Sequence, residues 1–176
     1  ISLFSTAREI QISYGADPNK CIVIPNGVDV EGYSKALQQR PNYIPKVITL
    51  LGRVVPIKDI KTFIKAMRIV SSKIPNVEGW IVGPTDEDPD YYNECLNLVE
   101  TFKLDNNVKF LGFQNPKDIF PKTGILTLTS ISEGMPLVVL EGFAAGVPCV
   151  ATDVGSCRQL IYGGLNEEDI KIGKAG

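Results

Sequence analysis

"VITLLGRVVPIKDIKTFIKAM" runs from Val47 to Met67 and sets the fold. Val47 to Gly52 is a nearly continuous apolar run, the pattern of a strand in a sheet covered on both faces. Beyond the loop, Ile60, Ile64, Met67 and Ile74 recur near the 3.6-residue period, which predicts a helix from about Asp59 to Lys73. The same succession repeats downstream. "EGWIVG" (Glu78–Gly83) reads as a strand, and Tyr91–Phe102 as a helix with Tyr92, Cys95, Leu96 and Val99 on one stripe. "VKFLGF" (Val108–Phe113) is a strand, "DIFPK" (Asp118–Lys122) a helical turn and "GILTLTS" (Gly124–Ser130) a strand. Pro136–Ala145 reads as a helix with Pro in its first turn and Gly146 as its stop. "VPCVATD" (Val147–Asp153) is a strand, and Ser156–Tyr162 a short helix with Ser156 as N-cap. Strands alternating with helices imply right-handed crossovers and a Rossmann-like α/β architecture, a parallel sheet flanked by helices.

Upstream the pattern is less regular. "CIVIP" (Cys21–Pro25) reads as a short strand ending in the turn signal Asn26-Gly27. Gly32–Lys46 is polar and Pro-containing, a connector or surface loop. Residues 1–45 are therefore expected to be an entry segment and connector, and residues 46–176 the domain proper. The opening "ISLFSTARE" lacks an initiator Met, and the closing "NEEDIKIGKAG" begins a new helical pattern, so the chain reads as part of a longer one.

Composition narrows the function classes. At 176 residues the chain forms one ordinary domain and can bury roughly 70% of its unfolded surface without a metal or disulfide staple. Hydrophobic residues make up 44% and charged residues 22%, which is the composition of a globular soluble domain. The net charge of −2 argues against a general nucleic-acid binder. Cys21, Cys95, Cys149 and Cys157 form no C-x-x-C pair and the chain has no His, so a zinc site is not expected. Reduced thiols in a cytoplasmic protein are the expectation. No apolar run approaches the ~20 residues of a membrane helix.

In open parallel sheets, ligands sit beyond the carboxyl ends of the strands. The loops that follow strands therefore carry the chemistry. In "GRVVPIKD", Gly52 lets the backbone turn or approach a ligand closely. Arg53 and Lys58 are two cations in one strand-to-helix loop, suited to a diphosphate: Arg by bidentate hydrogen bonds, Lys as a point charge. Read alone, the loop also fits two solvated surface charges. "SISEGMP" likewise follows a strand and opens a helix. Free N–H groups near Gly134, Met135 and Leu137, with Pro136 at the helix start, make an anion site carrying about half a positive charge. Glu141 stands among Val139, Leu140, Phe143 and Ala144, where an unpaired charge is costly. At about 7.5 Å along the helix from Pro136 it can grip a ribose beside bound phosphates. Glu133 precedes the helix, where the sugar of a nucleotide-sugar would lie. Phe113 and Gln114, after Gly112, offer backbone groups to the edge of a base and a wall for its face. The acidic run Asp86–Asp90 reads as a solvated loop, and no metal site is expected there.

Together these residues resemble the nucleotide-sugar-binding, C-terminal half of GT-B glycosyltransferases of retaining family 4. The matching pieces are "VIPNGVD", "GRVVPIKD" and the E-x7-E element "EGMPLVVLE" followed by "AAGVPCVATDVG". The resemblance implies that Arg53 and Lys58 bind the diphosphate, Glu133 contacts the donor sugar and Glu141 binds the ribose. It further implies a UDP-sugar donor, no metal or other cofactor, and a glycan acceptor held by an N-terminal domain that this chain lacks. "GRVVPIKDIKTFIKAM", "EGWIVGPTDEDPDY" and "LTSISEGMPLVVLEGFAAGVPCVATDVGSCRQLIYG" resemble the transferases of Pel exopolysaccharide biosynthesis, which implies a membrane-associated polysaccharide synthase complex as partner.

Two alternatives stay open. A UDP-sugar epimerase uses the same fold; it would need acid/base groups in the cleft, commonly His, and this chain has none. A non-catalytic module would keep the fold and lose the chemistry; the intact set Arg53, Lys58, Glu133 and Glu141 speaks against it.

Overall fold

Among the described residues, five strands form one sheet: β1 (Val47–Leu51), β2 (Glu78–Val82), β3 (Val108–Gly112), β4 (Ile125–Leu128) and β5 (Cys149–Ala151). Their order is β3-β2-β1-β4-β5 and every pairing is parallel. This computed structural model describes residues 1–163, so the helical pattern read from Asn166 onward lies outside the described residues. The helices are α1 (Ser5–Ser13), α2 (Val30–Leu37), α3 (Ile60–Lys73), α4 (Pro89–Thr101), α5 (Pro116–Ile119), α6 (Leu137–Ala144) and α7 (Cys157–Tyr162).

Neighbouring residues of a strand point to opposite faces. Leu50 and Leu51 accordingly serve two cores. On one side α3 and α4 bury Phe63, Ile64, Met67, Tyr91 and Cys95 with Leu50 and Ile81. On the other, Tyr33 of α2, Val139 of α6 and Cys157 of α7 gather with Phe120, Leu126 and Val147, and Leu51 packs against them. Each fully buried Ile, Leu, Phe or Met contributes on the order of 2 kcal/mol. The two clusters make the apolar strand readings physical: both faces of β1 are covered. Thr49 is also buried in β1, and its hydroxyl meets that of Thr123 at 2.8 Å. The cysteines are free thiols. Burial pushes Cys95 up to about 11 and Cys149 up to about 12, so both stay protonated at neutral pH.

The expected α/β architecture is what the chain adopts, with shifts at the edges. Asp59 caps α3 from outside, its carboxylate accepting from Thr62 N–H at 3.2 Å. α6 starts at Leu137, with Pro136 at the N-cap position, and is followed by the left-handed Gly146. Ser156 holds the N-cap position of α7 but makes no capping bond with its side chain.

Two upstream readings differ. Cys21–Pro25 is not a strand of the sheet: Val23 only bridges Ser2 in parallel, and Ile22, Val23 and Ile24 stay exposed. An apolar run becomes a strand only where a partner chain supplies its hydrogen bonds, and here Ser2 supplies both, donating to Ile22 O and accepting from Ile24 N–H. Gly32–Lys46 is not wholly connector, because Val30–Leu37 is α2, capped by Asp29 through Gly32 N–H at 3.0 Å and anchored by buried Tyr33 and Ala36. α1 buries none of its residues.

The topology fixes where a ligand can sit. From β1 the chain builds outward through β2 to β3, then crosses back to place β4 on the other side of β1. The winding direction reverses between β1 and β4, the switch point beyond whose carboxyl ends open sheets of this kind bind their ligands. The β1–α3 and β4–α6 loops are the two lips of that switch point.

Candidate functional site

Lys58 comes from the first lip, at the end of the 3-10 turn Pro56–Lys58. Its stem lies over Gly52, where a built Cβ would touch Lys58 Cε at 3.6 Å. Its Nζ reaches Glu133 Oε1 of the second lip at 2.6 Å. Ser130 Oγ donates to the same oxygen at 2.6 Å. The side chains of Lys58 and Glu133 are only 19% and 12% exposed, so the pair works in a partly desolvated setting where charge interactions are strong.

Hydrogen bonds to backbone carbonyls hold the lips in register. Thr129 Oγ1 donates to Lys58 O at 2.9 Å and lies 3.0 Å from Asp59 O. Ile131 N–H donates to Ile57 O at 2.9 Å. From the β5–α7 loop, Thr152 Oγ1 donates to Ser130 O at 2.7 Å and Ser156 N–H to Gly134 O at 2.9 Å. Gly155 makes that approach possible. It is left-handed (φ 56°), and a side chain there would collide with the carbonyl oxygens of Glu133 and Gly134. On the other flank, Asn26 Nδ2 donates to Met135 O at 3.0 Å, and Asn26 N–H to Met135 Sδ at 3.3 Å. The Asn-Gly pair that reads as a turn in sequence is therefore also a tie onto the Glu133–Pro136 loop.

Gly134, Met135 and Pro136 thus form a braced approach to α6. Pro136 has no side-chain capping bond, and Val139 N–H bonds only as far back as Pro136 O, at 3.2 Å. The first-turn donors of α6 and its dipole face the same crest as Lys58, which suits an anion. One turn deeper, ~6 Å along the axis from Leu137, Glu141 is partly buried rather than in bulk water. It faces Tyr33 of α2. Burial first, and the Glu141 carboxylate second, push the Tyr33 phenol well above its ordinary value. Tyr33 is held edge-on by Phe120, 5.7 Å between ring centres.

The remaining expected site residues stand on the same edge without touching that pair. Arg53 Nη1 reaches Glu87 Oε2 at 2.7 Å, a half-exposed contact with the β2–α4 loop. Phe113 is 78% exposed after the left-handed Gly112, and Gln114 Nε2 folds back onto Leu111 O at 3.0 Å. β3 lies two strand spacings from β1, about 10 Å away. The crest therefore offers a cation–carboxylate pair and a helix tip at the centre, an acid one turn deeper, a second cation on the β2 side and an exposed ring at the far strand. Sequence reasoning missed Asn26, Tyr33, Glu87 and Ser130, and it reads Gly155 only as a turn at the same edge. Ser130 meets Glu133 three residues on, within the "SISE" stretch; Asn26, Tyr33 and Glu87 act through partners distant in sequence. Among the described residues no group of three His, Cys, Asp or Glu side chains is gathered for a metal. Among the same residues no helix is long and apolar enough to cross a membrane.

Residues 35–166 match the family model described as "Glycosyl transferases group 1". The chain is 30% identical over 177 aligned residues to the Escherichia coli UDP-Gal:alpha-D-GlcNAc-diphosphoundecaprenol alpha-1,3-galactosyltransferase, covering 92% of this chain and 44% of that protein. It is 27% identical to D-inositol 3-phosphate glycosyltransferase of Rhodococcus erythropolis, over 90% of this chain and 38% of that one. Among solved structures, Anabaena HepE in complex with UDP superposes with a TM-score of 0.78 at 25% identity, over 97% of this chain and 50% of that one. The chain thus spans about half or less of the length of these relatives. A parallel sheet whose strand order reverses between β1 and β4, a family match over most of the chain and a GT-B neighbour of this similarity lead to one conclusion: the chain belongs to the group 1 glycosyl transferases.

Proposed function

We propose that this chain is the donor-binding domain of a retaining, family 4-type glycosyltransferase that moves a hexosyl or N-acetylhexosaminyl unit from a UDP-sugar to a growing exopolysaccharide or other glycan. The observation that carries the reading is the Lys58–Glu133 pair at the tip of α6. The diphosphate lies between Lys58, Arg53 and the first-turn N–H groups after Gly134, Met135, Pro136 and Leu137. Glu133 faces the sugar, Glu141 accepts from the ribose hydroxyls, and Phe113 and Gln114 border the base. Gly52 leaves room for the phosphates.

In the transfer, the bond from the sugar's anomeric carbon to the β-phosphate oxygen breaks as the acceptor oxygen bonds that carbon from the same face. The acceptor's proton passes to the departing β-phosphate. Lys58, Arg53 and the helix tip stabilise the charge developing on UDP; one such donor commonly contributes ~3 kcal/mol. These cations supply the positive charge that other designs take from a metal, so the reaction as proposed needs none. The acceptor is held by a further domain, so this chain alone binds nucleotide and transfers nothing. The resemblance to Pel transferases supports a cytoplasmic enzyme working beside a membrane polysaccharide synthase.

Calorimetric titration with UDP, ADP and GDP tests the reading. UDP is expected to bind selectively to the unmodified chain and about tenfold or more weakly to Glu141→Ala, which loses charge-assisted bonds to the ribose. Equal binding of all three nucleotides, or no effect of Glu141→Ala, would count against it.

A further inference from the structure

Arg53 leaves the crest toward a carboxylate 34 residues away, Glu87 in the β2–α4 loop, with Nη1 2.7 Å from Oε2. The two loops are pinned together. Gly52 N–H donates to Val82 O at 2.8 Å, and Val54 N–H to Pro84 O at 2.9 Å. Gly83 is left-handed (φ 151°), and a side chain there would strike the Gly52 carbonyl. Just past Glu87, Asp88 accepts from Tyr91 N–H at 3.0 Å and starts α4. Glu87 is therefore presented to Arg53 by a loop fixed on both sides of it.

We propose that Glu87 is the resident counter-ion of Arg53 and gives the guanidinium up to the donor's diphosphate, so that this carboxylate sets the affinity of the site for that group. The proposal rests on the diphosphate position given above. Glu87 Oε2 holds Nη1 of Arg53, so a diphosphate gripping the guanidinium through that nitrogen competes with the carboxylate. Arg53 and Glu87 side chains are 54% and 41% exposed, so their pair is weak and exchange is easy. Lys58 and Glu133 differ in being mostly buried and in sharing Ser130, which keeps that pair in place.

The test is titration of the 176-residue chain with UDP, and with uridine as a control lacking phosphates. The variants are Glu87→Gln, Glu87→Ala, Arg53→Gln and Arg53→Gln combined with Glu87→Gln. At low ionic strength both Glu87 variants are expected to bind UDP about two- to fivefold more tightly, the range of an exposed ion pair. Uridine binding stays unchanged, the gain vanishes in the Arg53→Gln background, and it shrinks at high salt. Unchanged or weaker UDP binding by the Glu87 variants overturns the proposal, as does an equal gain without Arg53. An unmodified chain that binds no nucleotide overturns the donor-site reading, and this proposal with it.

Discussion

Lys58 Nζ and Glu133 Oε1 stand 2.6 Å apart, one from each lip of the β1–β4 switch point. Glu133→Gln leaves an ammonium without its carboxylate in a mostly buried setting and is expected to destabilise the chain by about 2–4 kcal/mol. Adding Lys58→Met should cost less than the sum of the two single changes, because no lone charge remains. Urea titration of the three variants checks this. In the full-length enzyme, Lys58→Met is expected to lower turnover about a hundredfold or more.

Gly155→Ala should damage the site from behind. The left-handed backbone and the collision with the Glu133 and Gly134 carbonyls together are expected to cost about 2 kcal/mol or more. UDP binding should weaken with it, because the loop that ends at the α6 tip must shift. Melting and titration of this one variant read both effects; full stability would contradict the packing described.

Asn26→Ala removes the amide that holds Met135 O. A loss of about 1 kcal/mol in stability is expected. Because Asn26 braces the loop without reaching the switch point, the affinity for UDP should fall modestly while the preference for UDP over ADP is kept. Loss of that preference would place Asn26 in the site itself.

Tyr33→Phe tests how Glu141 is held. The phenol faces the carboxylate, and its removal should blur the carboxylate's aim at the ribose. UDP is expected to lose about three- to tenfold of its advantage over 2′,3′-dideoxy-UDP, the scale of one hydrogen bond, while the dideoxy nucleotide binds as before. Equal losses for both nucleotides would indicate a purely structural Tyr33.

Alkaline pH should weaken the fold. Cys95 and Cys149 are raised from 9.0 to about 11 and about 12 by burial, so between pH 9 and those values the folded chain keeps protons that the unfolded chain has released. Stability is fully present below pH 9 and is lost as pH rises through the folded values. Urea midpoints measured under reducing conditions should fall above pH 9, and less steeply for Cys149→Ala. A flat or rising profile would contradict this.

From Val47 onward the architecture was legible because buried parallel strands are continuous apolar runs and α3 and α4 carry clear stripes. α2 was not, because Gly32 and Ser34 dilute a helix held by two anchors, Tyr33 and Ala36. Cys21–Pro25 had the composition of a strand but lacked the partner that makes one. In the site, Lys58 and Glu133 could be picked out individually, as a cation and an acid beside strand-to-helix turns. Their pairing spans 75 residues and follows from strand order rather than from any local pattern. The Glu87–Arg53 and Tyr33–Glu141 relations were hidden for the same reason. The sequence marks Met135 as a backbone donor, and in the structure its carbonyl and sulfur also both accept from Asn26.

A heteronuclear NMR titration of the chain with UDP locates the nucleotide most directly. Saturable shifts are expected at the amides of Lys58, Gly134 and Leu137, with a second group at Phe113 and Gln114. Shifts confined to the cavity lined by Thr152, Asp153, Arg158 and Tyr162, or none at saturating UDP, would contradict a donor site at the β1–β4 switch point.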